Sequence, residues 1–145
     1  MAEVTGLFVN TVACGWTPSG GSRTALTKIT QSAIDKGASD VSFSGDGDKF
    51  PTFRCNVMND PSVTLQGGRV TRYMNLISGA FGTLDFTWGD AKNGSGAGSV
   101  LWTLVNAMIG NAGASQPHAN FASGSLEIKS YSSDGVTNPL SYSFN

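Results

Sequence analysis

Three stretches of this chain alternate apolar and polar residues with a period of two, and that beat constrains the fold more than any other feature of the sequence. Leu140, Tyr142 and Phe144 alternate with Ser141, Ser143 and Asn145. Leu84, Phe86 and Trp88 alternate with Thr83, Asp85 and Thr87, and Phe53, Cys55 and Val57 alternate with Thr52, Arg54 and Asn56. A period of two gives a strand one face for a core and another for water or a partner. The alternation predicts that Leu84, Phe86, Trp88, Leu140, Tyr142 and Phe144 lie in the core. Cys55 sits on the apolar beat of its strand, which predicts a buried free thiol for it.

Turn residues divide the rest of the chain into short pieces. Residues 4–12 read as a first strand and 15–22 as a loop. Residues 26–34 read as a second strand, and 35–37 as a turn. A third strand starts at 41–43, and 45–48 is a further turn. Residues 53–57 and 63–66 are short strands, parted by Asn59-Asp60-Pro61. Residues 82–88 form a strand and 93–98 a glycine-rich loop. The last strands, near 121–131 and 139–144, flank Ser132-Ser133-Asp134-Gly135, and Asp-Gly between alternating segments predicts a hairpin. Residues 69–77 fit a strand, a short helix or a loop.

Residues 100–109 read two ways. Leu101, Leu104, Val105 and Met108 fit one helical face, with Ser99 as N-cap and Gly110 just past the end. Val100, Trp102 and Leu104 fit a strand face, and the β-branched and aromatic content favours that reading. The expectation is an all-β chain, or a mainly β one with one short helix, built as an antiparallel β-sandwich or barrel. The 145 residues fit a single β domain, 1–145, with enough length for a core.

Charged residues make up 13% of the chain, about half the usual share, and the net charge is −1. That balance argues against a binder that neutralises phosphates. Serine, threonine, asparagine and glycine suit turns and strand faces instead. A polar, weakly charged surface is found both on subunits packed edge to edge and on ordinary extracellular-type β domains. No run approaches the roughly 20 apolar residues of a membrane helix. The first residues show no signal-peptide pattern, so a reducing compartment is expected. Cys14 and Cys55 have no metal or redox spacing.

Few residues offer chemistry. His118 is the only histidine, and any Ser-His-Asp site would have to use it. No Gly-x-Ser-x-Gly elbow accompanies it, and Gln116-Pro117-His118 reads as a polar loop. Asp46 and Asp48, with Asp60 further off, offer oxygens to an ion such as calcium. They lack the rest of an EF-hand loop, so a solvated turn is the preferred reading. Residues 94–99 follow a strand as a phosphate loop would, but without the Gly-Lys-Ser/Thr ending or a βαβ setting. Trp16 is placed in a loop, the one good sugar-stacking candidate among Trp16, Trp88 and Trp102. The sequence assigns no catalytic, cofactor or metal residue.

Taken together, the low charge, the glycine-rich loops and the closing segment from Tyr131-Ser132-Ser133-Asp134-Gly135 to Leu140-Ser141-Tyr142-Ser143-Phe144 resemble structural virion proteins of tailed bacteriophages, tail tube proteins in particular. The resemblance implies a β-sandwich or barrel flanked by a helix, in hexameric rings stacked into a tube for DNA passage. It implies a non-enzymatic subunit of the virion, assembled in the host cytoplasm. Its partners would be copies of itself in a ring or tube and other virion proteins, with no membrane and no sequence-specific nucleic acid. Loops 13–24 and 91–99 would order against neighbouring subunits, and exposed strand edges would pair across them. A capsid decoration protein and a carbohydrate-binding module are the alternatives.

Overall fold

A computed structural model describes residues 8–68, 70–90 and 99–144. Its elements run β1 (Phe8–Pro18), β2 (Thr24–Ala25), β3 (Ile29–Asp35), β4 (Ser39–Phe43), β5 (Phe53–Met58), β6 (Ser62–Gly67), α1 (Val70–Met74), β7 (Phe81–Asp90), β8 (Ser99–Ser115), β9 (Ser123–Ser130) and β10 (Leu140–Phe144). The fold is mainly β, antiparallel and sandwich-like, as the alternation predicts. Eight strands form one sheet in the order β2-β1-β7-β8-β9-β6-β3, with β10 also on β8; β4 and β5 form a second sheet of two. The large sheet wraps back on itself. Ser32 Oγ of β3, at one end of the strand order, lies 2.7 Å from Thr11 Oγ1 of β1 and accepts the indole N–H of Trp88 of β7 at 2.8 Å.

Cross-strand register builds the core. Leu84 of β7 faces Trp16 of β1 and Leu104 of β8, and Leu104 in turn faces Leu140 of β10. Phe86 faces Cys14 and Trp102. From the other half of the sheet, Val63, Leu65, Ile109, Leu126 and Ile128 close over the same interior. Leu84, Phe86 and Leu140 are buried as expected, and Trp88 packs half-buried against them. Tyr142 and Phe144 share their face but are 57% and 52% exposed, because β10 runs past the end of the cover.

Residues 100–109 are strand, within β8. The helical spacing there has a local cause. Val100 and Leu104 point inward, and then the register shifts near Val105 and Asn106, where Asn106 adopts φ 50°. Ala107 and Ile109 continue the inner face. The step from Leu104 to Ala107 therefore imitates a helix, although it is one irregularity in a strand. The open segment 69–77 contains α1, whose Tyr73 enters the core.

Three other expectations are corrected. β1 runs through residues 15–18, so Trp16 lies in a strand and not a loop; the loop starts at Ser19. Of the predicted second strand, 26–34, only 29–34 is strand, within β3, while 26–28 is not, and the two-residue β2 precedes it. β9 and β10 do not form a hairpin. Both pair antiparallel with β8, β9 with Ala107–Ser115 and β10 with Val100–Leu104, so they lie end to end along one edge of it. Residues 131–139 loop out between them. Asp134 closes that loop, accepting hydrogen bonds from Ser132 Oγ, the Val136 and Thr137 amides and Thr137 Oγ1. The Asp-Gly signal marks a real turn, but the chain leaves it in the direction it entered.

Candidate assembly surface

The predicted apolar face of Phe53, Cys55 and Val57 does form, but outside the core. β4 and β5 pair with Phe43 opposite Phe53 and Val41 opposite Cys55. A ribbon with two such pairs on one face has the cross-strand contacts that hold a sheet together. Its other face carries Ser42 opposite Arg54 and Asp40 opposite Asn56. Arg54 and Asp40 approach to 3.9 Å across solvent, a pairing worth little energy. Within the far turn, the Gly45 amide donates to Asp48 Oδ2 at 2.6 Å, and the Thr52 amide donates to Phe43 O at 2.8 Å. At the base, a side chain on Gly37 would strike the backbone of Asp60, and its φ of 60° also favours glycine.

This ribbon is an arm. Every residue from 38 to 60 is exposed, and its strands pack almost wholly on each other. Phe43 and Phe53 are 65% and 63% exposed, and Val41, Val57 and Phe50 are exposed as well. An apolar ribbon face left open to water is what a docking surface looks like before docking. Cys55, expected to be buried, lies exposed as a free thiol on this face, whereas Cys14 is the buried free cysteine. Burial pushes the Cys14 thiol up to about 12, so it stays protonated and inert.

A second uncovered surface lies at the far end of the sandwich interior. Phe86, Trp102, Tyr142 and Phe144 form a continuous row, with ring centroids 6.4, 5.2 and 5.5 Å apart, and Trp88 adds a contact of 5.4 Å to Trp102. The row begins in the core at Phe86 and ends in solvent at Phe144. The outward face of the same strands carries the polar half of the beat, with Thr83, Thr87, Thr103, Ser141 and Ser143. One ion pair stands on it, Arg23 clasping Asp85 through two hydrogen bonds of 2.9 and 3.2 Å.

The residues weighed for chemistry are scattered. Asp46 and Asp48 lie in the turn at the tip of the arm, where Asp48 holds its own loop; Asp60 is at the base. Among the described residues, no three of His, Cys, Asp and Glu gather into a metal-binding group. His118 is exposed in the β8–β9 turn. Trp16 is 2% exposed, so its ring is packed away from any sugar. Of the glycine-rich segment, 94–98 lies outside the described residues, and Ser99 is buried at the start of β8. Of the two loops expected to meet neighbours, 13–24 is largely strand, and 91–98 again lies outside the described residues. The arm was legible only as a strand pair. Its lack of a covering partner has no signature in the alternation.

No protein-family model matches the chain, and no curated protein matches it. Among solved structures, the fold is similar to a chain in the cryo-EM structure of the anti-feeding prophage (AFP) baseplate, 6-fold symmetrised. The TM-score is 0.58 at 11% identity, over 93% of this chain and 94% of that one. The two chains share a fold from end to end.

Proposed function

We propose that the chain is a non-enzymatic structural subunit that assembles with copies of itself in a phage-like particle, as a tail tube protein. The observation that carries this reading is the β4–β5 arm, an apolar ribbon with Phe43 and Phe53 both about two-thirds exposed. A lone soluble domain gains nothing from such a surface and risks aggregation by it, whereas a subunit buries it on assembly. The shared fold with a chain of a six-fold symmetrised baseplate supports the same reading, as do the low charge and the small polar outward face.

Negative-stain microscopy of the purified protein is the test. Stacked rings or tubes are expected. Trimers that coat emptied capsids would move the role to decoration. A monomer that binds glycans would replace it with a carbohydrate-binding module.

A further inference from the structure

We infer that the arm of one copy docks on the Trp102–Tyr142–Phe144 end of the next copy, its Phe43–Phe53 face against the exposed aromatic rings. This rests on the self-assembly reading and names the surface that receives the arm.

The strand order leaves a place for it. β6 and β9 run side by side until Ser62 faces Lys129. Past that point the line of β9 is taken up by β10, but the line of β6, followed backwards, leaves the sheet as β5. Among the described residues β10 pairs with β8 alone, so its outer edge has no neighbour. A cleft of about 360 Å³ lies between the arm, at Asn56, Val57 and Met58, and the loop that leads into β10, at Thr137, Asn138 and Pro139. The ribbon that would lie beside β10, next to the strand that carries Tyr142 and Phe144, is thus the segment that the chain carries outward. Supplying it from a neighbouring copy completes the layer, by the logic of exchanged elements.

The chemistry agrees with that occupant, and the area is that of one part of a larger interface. At about 200 Å² per aromatic side chain, Phe43 and Phe53 expose roughly 250 Å² together. Val41 and Val57 raise the face to about 400 Å², half of the roughly 800 Å² that each partner gives to a standard interface. The receiving rings are anchored through Trp102 to buried Phe86, so they present a firm surface. Neither the arm's apolar face nor the aromatic row carries a charge to be stranded on docking. Each copy has one arm and one receiving end, and these are different surfaces, so the contact is heterologous and propagates through a ring or stack.

Cys55 lies in the middle of the arm face and serves as a built-in probe, with Cys14 buried out of reach. The experiment is copper-phenanthroline oxidation of Y142C, of the wild type and of Y142C/C55S, read on non-reducing gels beside sedimentation velocity of the same samples. Phe144→Cys is a second reporter should Y142C fold poorly. The expected result is a covalent ladder extending past the dimer in Y142C, lost in the wild type and in Y142C/C55S. A Cys55–Cys55 dimer in the wild type would mean arm against arm and would overturn the inference. Oligomers in sedimentation without a ladder from either reporter would also overturn it, and would leave self-assembly standing. Monomers alone at every concentration would remove both.

Discussion

Tyr73 reaches from a five-residue helix into the core, and two glycines make room for it. Gly67 and Gly124 face each other across β6 and β9. A methyl group on Gly124 would come within 2.6 Å of the Tyr73 ring, and one on Gly67 within 2.6 Å of its hydroxyl. That hydroxyl is buried without a hydrogen-bond partner among the described residues, and burial pushes it up to about 12. An unpaired buried hydroxyl costs free energy, so Tyr73→Phe should leave stability unchanged or raise it by up to about 1 kcal/mol. Gly124→Val, which overfills the same space, should cost about 1–3 kcal/mol. Urea unfolding of the two variants checks both. Asp134 gives a pH signature. The donors of Ser132, Val136 and Thr137 hold its carboxyl far below the ordinary value of 3.8. Its contribution is therefore present above 3.8 and fades as acid approaches the lower folded value. The stability gap between wild type and Asp134→Asn should narrow steadily on acidification below pH 4. A gap that stays constant down to pH 2 would show that the loop clasp does not act this way.

The elements differ in how well they are supported, and the sequence shows this only in part. β7 and β8 are central strands with neighbours on both sides, whereas among the described residues β4 and β5 pair only with each other. Isolated two-stranded ribbons are marginal in water. Hydrogen exchange should therefore find the amides of residues 39–58 opening far more readily than those of 100–109 in the unassembled protein. Equal protection in the two segments would contradict an uncovered arm. The alternation revealed both Leu84–Phe86–Trp88 and Phe53–Cys55–Val57 as strand faces, because period is a local property. It did not distinguish a face that the chain covers from one it leaves open, because cover comes from strands distant in sequence. The same limit explains Tyr142 and Phe144, which continue the beat of buried Leu140 but stay half exposed among the described residues. In β8 the obstacle was local. One irregularity near Asn106 switched the inward parity and produced a helix-like spacing. The Asp-Gly turn misled for a related reason, since turn chemistry shows that the chain bends but not which strand it joins afterwards.

At the scale of the whole molecule, the arm face and the Tyr142–Phe144 end are open apolar surfaces among the described residues, while the candidate chemical residues lie apart. Asp46 and Asp48 sit at the arm tip, His118 in the β8–β9 turn and Trp16 in the core. On the proposed reading such a molecule is completed by contact, and the free energy it withholds as a monomer becomes available on association. Substitutions at exposed Phe43 and Phe53 should scarcely alter folding, within about 0.5 kcal/mol, because among the described residues both stay largely open to water. Sedimentation velocity of wild type against Phe43→Ser/Phe53→Ser, with thermal melts recorded alongside, bears most directly on self-assembly through the arm. Wild-type protein should form large, concentration-dependent assemblies, and the double variant should stay monomeric with its main melting transition retained. A wild type that remains monomeric, or a folded double variant that assembles as the wild type does, would contradict it.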